Sequence, residues 1–154
     1  AAMERDVDAT LARLYTTVPG TREMVQRSAG VLVFPAVVGG SFVIGADHGK
    51  GALREAGRTS GYYSTTSGSI GFQAGGQSKA VVYVFNTRDA LNKFKASNGW
   101  TAGADATVAV GKVGANGSVD TQTIQQPVAS FVLTNVGLEA GAAVGAAKIS
   151  RITI

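Results

Sequence analysis

The chain has 154 residues, no cysteine and a formal net charge of +4. That length makes one domain with a real core the default, and 45% hydrophobic against 16% charged residues excludes a disordered chain. The missing cysteine excludes internal disulfides, thiolate catalysis and thiolate-held metals, and no apolar run reaches the roughly 18 residues needed to cross a bilayer as a helix.

Residues 4–17 read as an amphipathic helix, because Val7, Leu11, Leu14 and Val18 fall at i, i+4, i+7 and i+11. Pro19-Gly20 ends it. Thr21 is placed to cap a second short helix running to about Ala29, with Glu23 in its first turn and Arg27 later. The apolar stripe of the first helix suits burial on a sheet or insertion in a bilayer. It lacks the Trp or Phe of many interfacial helices, and Glu4, Asp6 and Asp8 on its polar side would be repelled by anionic head groups. The expectation is a helix packed on the body.

From Gly30 the chain turns β-prone. Val31-Leu32-Val33-Phe34 reads as a buried strand stopped by Pro35. Ser41–Ala46 and Gly51–Glu55 flank Asp47-His48-Gly49-Lys50, which reads as a hairpin turn. Strands follow at Tyr62–Thr65 and Ser69–Ala74, around Ser67-Gly68. Ala80–Phe85 is apolar on both faces and therefore central. Asn86-Thr87 starts a helix from Arg88 to about Ser97, buried through Leu91 and Phe94 and ended by Asn98-Gly99. Ala106–Val110, Ser118–Ile124, Ala129–Thr134 and the C-terminal stretch complete the sheet, with Asn116-Gly117 as a two-residue turn. The sum is one α+β domain over 1–154: a helical segment at 1–29, then a glycine-rich body at 30–154. The body is mainly antiparallel, a curved sheet or barrel-like core with one inserted helix at about 87–97.

The 21 glycines carry a repeated pattern. Gly71-Phe72-Gln73-Ala74-Gly75 is echoed by Gly137-Leu138-Glu139-Ala140-Gly141, and more loosely by Gly40-Ser41-Phe42-Val43-Ile44-Gly45. In strands these segments present a nearly bare face, open to another backbone, a ligand or sharp curvature. Gly137, Gly141 and Gly145 also have the spacing of close-packed helices, but each glycine costs about 1 kcal/mol inside a water-exposed helix.

The residues offer little catalytic chemistry. His48 is the single histidine, and no Gly-x-Ser-x-Gly elbow accompanies it. Gly45-Ala-Asp-His-Gly49-Lys50-Gly51 has three residues between its glycines where a phosphate loop needs four, and Gly51 where it needs Ser or Thr. No cluster suits a metal, so neither an enzyme nor a cofactor is expected. Tyr62-Tyr63 and Trp100 lack the interleaved Arg and Lys of a nucleic-acid surface and read as packing residues. Gln73, Gln77 and Ser78 bridge strand ends or line a polar pocket.

Charge is more telling. In residues 1–29, Arg5, Arg13, Arg22 and Arg27 cancel Glu4, Asp6, Asp8 and Glu23. The surplus lies in the body, at Lys50, Arg54 and Arg58, at Arg88, Lys93 and Lys95, and at Lys148 and Arg151. Such clusters favour anionic partners. Lys50, Arg54, Arg88, Lys93, Lys95, Lys148 and Arg151 are the candidate lipid-contacting residues.

One resemblance joins these motifs. Gly30-Val-Leu-Val-Phe-Pro35, Gly49-Lys-Gly51, Gly61-Tyr62-Tyr63, Ser69-Ile-Gly-Phe-Gln-Ala-Gly75 with Gln77-Ser78, Asp89-Ala-Leu91, Gly99-Trp100, Gly137-Leu138 and Lys148-Ile-Ser-Arg-Ile152 run in order from about Ala29 to the end. Together they resemble the SYLF domain. The resemblance implies lipid binding, since eukaryotic SYLF domains bind phosphoinositide membranes, in part through an N-terminal amphipathic helix, and some bind and bundle actin. Bacterial members are often secreted or lipoproteins, and the low lysine and high Ala/Gly content suits an envelope protein. The resulting expectation is a non-enzymatic domain for anionic phospholipid, at the bacterial envelope or periplasm, held by a lipid anchor outside this chain. The alternative is an actin-binding-like protein-interaction module.

Overall fold

The computed structural model describes residues 2–39, 46–68, 78–115, 117–134, 138 and 147–153. The glycine-spaced segments at 40–45, 69–77 and 139–146, with Gln73 and Gln77, lie outside the described residues. The order is α1 (Ala2–Thr17), α2 (Thr21–Arg27), β1 (Gly30–Gly39), β2 (Ala46–Glu55), β3 (Arg58–Gly68), β4 (Ser78–Phe85), α3 (Arg88–Ala96), β5 (Trp100–Thr101), β6 (Ala109–Val110), α4 (Thr121–Gln125), β7 (Val128–Leu133) and β8 (Lys148–Ile152). Among the described residues, eight strands form one sheet in the order β5-β8-β3-β2-β1-β4-β7-β6, antiparallel except for β6 and β7. This is the expected α+β class.

The sheet is curled. Tyr83 on β4 and Trp100 on β5 stand five strand spacings apart, about 24 Å in a flat sheet. Their rings nevertheless meet edge-on at 6.1 Å, and Phe85 reaches the same indole at 5.9 Å. Phe94 of α3 plugs the concave side, with ring centroids 4.8 Å from Tyr63, 4.9 Å from Phe85 and 5.3 Å from Trp100. Leu32, Phe34, Leu53 and Ile149 complete this inner core.

The convex face carries α1 and α2. Val7, Leu14 and Val18 are 0% exposed and Leu11 8%. They pack on Val31, Val33, Ala52, Val82, Val84 and Phe131. The N-terminal helix is thus a layer of the fold, as its aliphatic stripe and lack of aromatic residues led us to expect. Thr21 does not cap α2. Its hydroxyl donates to the Val18 and Leu14 carbonyls at 2.7 and 3.2 Å, closing the end of α1, and Gly20 holds the N-cap position of α2. Thr87 does cap α3, accepting from the Ala90 N–H at 3.1 Å.

Several strand boundaries differ from the sequence reading, among them Ala106–Val110, of which only Ala109–Val110 forms a strand. Pro35 does not stop β1. The strand continues to Gly39 through a bulge between Val33 and Ala36, where the missing proline N–H costs no ladder bond. Asp47-His48-Gly49-Lys50 is not a turn but lies within β2, paired with Ser67 to Ser64 on β3. The hairpin turns instead at Ala56-Gly57, both with positive φ (53° and 81°), the signature of a two-residue primed turn. Ser118–Ile124, expected as a strand, keeps only a bridge at Val119 before α4 begins. There Asp120 precedes the helix and Pro127 follows it. The Asn86 amide donates to the Gln126 carbonyl at 2.7 Å, fixing its C-terminal end.

Candidate functional site

The fold sorts the candidate cations by whether an acid partner is already in place. Arg54 leaves the convex face toward α1, where it pairs with the Asp8 carboxylate and donates to the Glu4 carbonyl at 3.2 Å. Arg88 and Lys95 converge on Glu55 at 3.3 and 2.8 Å. The Lys95 hydrogen bond, with help from Ser60, holds the Glu55 carboxyl below the ordinary glutamate value. Lys93 pairs with Asp89 one helical turn back at 3.2 Å. These four serve the structure's own acids.

Lys50, Lys148 and Arg151 are different. All three are exposed, and among the described residues none has a carboxylate within ion-pairing distance. Lys50 on β2 stands opposite Ser64 on β3, which stands opposite Ser150 on β8. His48 stands opposite Thr66, which stands opposite Lys148. Directly paired residues share a sheet face, so Lys50, Lys148, His48 and the hydroxyls of Ser64, Thr66 and Ser150 form two adjacent rows on the convex face. With strands about 4.8 Å apart and a two-residue offset along them, the backbones of Lys50 and Lys148 are about 12 Å apart on the diagonal. Arg151, one residue on from Ser150, points to the other face beside Tyr63. The structure therefore joins Lys50 with Lys148 and separates both from Arg151 and from the Glu55 group.

The N-terminal half of α1 borders these rows. Beside it lies a hollow of ≈ 540 Å³ that includes Met3 and Asp6 of α1, Pro35 and Ala36 at the bulge, and His48, Lys50, Ser64 and Thr66. The β1 bulge shapes this wall. The hydroxyl rows were legible as the alternation Tyr62-Tyr63-Ser64-Thr65-Thr66, but placing His48 and Lys50 in a turn hid their partnership.

Of the acids of α1, Glu4 is hydrogen-bonded to the hairpin, while Asp6 is exposed at the rim of the same hollow. The Tyr62 hydroxyl donates to Glu4 Oε1 at 2.6 Å and Thr59 donates to the same oxygen at 3.4 Å. The Tyr62 bond holds Glu4 below its ordinary value and, reciprocally, Tyr62 above its own. Glu4 and Asp8 thus tie α1 to the hairpin.

His48 Nδ1 lies 3.3 Å from Thr66 Oγ1. The pair is exposed, and among the described residues no carboxylate bonds the imidazole, so the orienting third group of a nucleophilic triad is not there. No three His, Cys, Asp or Glu side chains among the described residues group as metal ligands do, and no helix there is long and apolar enough to cross a membrane. Trp100 and Tyr63 are buried ring partners, as packing residues should be.

Comparison with protein families adds one finding. The Ysc84 family model, described as Las17-binding protein actin regulator, matches residues 66–152, more than half of the chain. The match includes Lys148, Arg151 and the α3 cations, and leaves out α1, α2, β1, all of β2 with Lys50, and most of β3. Comparison with curated proteins finds no match.

Proposed function

Because the chain belongs to the Ysc84 family, the SYLF domains that its motifs resemble, we propose that it is a non-enzymatic domain that binds anionic phospholipid surfaces. The contact is the convex sheet face at Lys50 and Lys148. What carries the reading is their exposure on one face, among hydroxyls, without a carboxylate partner among the described residues. Phosphate oxygens would accept from both ammonium groups and from Ser64, Thr66 and Ser150. The reading places the domain at a bacterial envelope, tethered by a lipid anchor outside this chain. Fractionation of cells making the full gene product tests that location: recovery in the cytosol alone contradicts it.

The binding test is co-sedimentation with vesicles. Binding should need anionic lipid and weaken as salt rises, because exposed charges are screened. Equal binding to neutral vesicles at high salt would overturn the reading. The family description favours a second reading, a protein-docking module of the actin-regulating kind. Co-sedimentation with filamentous actin, without lipid, separates the two.

A further inference from the structure

We propose that the pocket between α1, α2 and the β2–β3 turn binds one small amphiphilic anion, its apolar body on the pocket floor and its carboxylate, phosphate or sulfonate among three arginines. The pocket encloses ≈ 760 Å³, the size of many small-molecule sites. It lies at the C-terminal end of β2 and the turn that follows, and includes neither Lys50 nor Lys148.

The floor is apolar, made by Leu11, Val25, Ala29 and Val31, of which Leu11 and Val31 are buried. Arg22, Arg54 and Arg88 bring positive charge to the walls. The two acids of the lining, Asp8 and Glu55, are already engaged, Asp8 by Arg54 and Glu55 by both Arg88 and Lys95. Arg22 has no carboxylate partner among the described residues. Its guanidinium lies 5.0 Å from the Tyr15 ring centroid, and Tyr15 also lines the pocket.

An acceptor is missing at Arg54. Two of its guanidinium nitrogens bond Asp8 and the Glu4 carbonyl, but Nε–H is buried with no hydrogen-bond partner. A buried donor left unsatisfied is costly and uncommon. An anionic group in the pocket would supply the counter-charge for Arg22 and lie within the field of the Arg54 guanidinium. Both arginines already act on the Tyr15 phenol, opposing the rise that burial imposes on it, so their fields overlap inside the pocket. A polar anion would leave the floor unused, and a neutral hydrocarbon would leave Arg22 without a counter-charge. An amphiphilic anion answers both.

The test is calorimetric titration of the intact chain with octyl phosphate below its micelle concentration, with 1-octanol as the uncharged control. Octyl phosphate should bind one to one, about tenfold or more tighter than 1-octanol, as expected for one charge-assisted bond. Combined Arg22→Gln and Arg88→Gln should weaken it about tenfold. Ala12→Trp, from an exposed helix position lining the pocket, should abolish binding by filling the space. Thermal melts of both variants check that the fold persists. Equal affinity for octanol, or octyl phosphate affinity unchanged in either folded variant, overturns the proposal. A parallel loss of vesicle binding in the double arginine variant would also overturn it, assigning the pocket to a bilayer head group. Octyl phosphate binding by a chain that ignores anionic vesicles would support the pocket and overturn the membrane reading alone.

Discussion

Gly51 sits where the β1 bulge presses on β2. A Cβ there would stand 2.0 Å from the Val33 carbonyl oxygen and 2.7 Å from the Phe34 ring. The obstacle is backbone, which cannot swing aside. Gly51→Ala should therefore destabilise by about 3 kcal/mol, and an unchanged denaturant midpoint would show that the bulge is not where the structure puts it. Gly51 faces the inner core, so this loss should come without a direct change at the lysine rows. The carboxylates make a second residue-scale prediction. Glu4 and Glu55 both titrate below the ordinary value of 4.5, Glu4 through Tyr62 and Glu55 through Lys95. In acid the unfolded chain binds more protons at both, so stability rises with pH. Their contribution is fully present above 4.5 and disappears as pH falls through the depressed folded values. Glu4→Gln should flatten the acid limb of stability against pH. An identical slope in the variant would mean that the Tyr62–Glu4 bond does not form in solution.

At the scale of elements, α1 is the decisive one. Its stripe is covered by the convex face, so Leu14→Ala should cost about 2–5 kcal/mol, read as a lower unfolding midpoint. Vesicle binding per folded molecule should stay unchanged. A variant of full stability that lost vesicle binding would make α1 the membrane element. The sequence made α1 readable because four aliphatic residues hold one helical phase, and α3 readable because Thr87, Asp89 and Lys95 mark its two ends. It misplaced the β2–β3 turn for a local reason. Asp47-His48-Gly49 has turn composition, while Ala56 carries no mark of the left-handed backbone it adopts. Nor did β-prone Thr121-Gln-Thr-Ile announce α4, whose end is set by the Asn86 amide, about forty residues away in sequence and out of reach of a local pattern.

For the whole molecule, class and inner core were legible, because Val81, Tyr83 and Phe85 alternate with Val82 and Val84 on a strand buried on both faces. The curl was expected from the glycines at 71–75 and 137–145, which lie outside the described residues. In the structure it is visible instead in the aromatic contacts of Tyr83, Phe85, Phe94 and Trp100 across the concave side. The candidate site was half legible. Sequence identified the basic surplus, but only the fold shows that Arg54, Arg88, Lys93 and Lys95 are paired with acids while Lys50 and Lys148 share an open face. Two charge-matched variants on the same anionic vesicles test that distinction. Each cation near such a surface contributes about 1 kcal/mol, so Lys50→Gln with Lys148→Gln should weaken binding about thirtyfold. Arg88→Gln with Lys93→Gln, which removes the same charge from paired positions, should change it by less than about threefold. Equal losses in the two variants would mean that binding follows net charge and not the face that the fold leaves open.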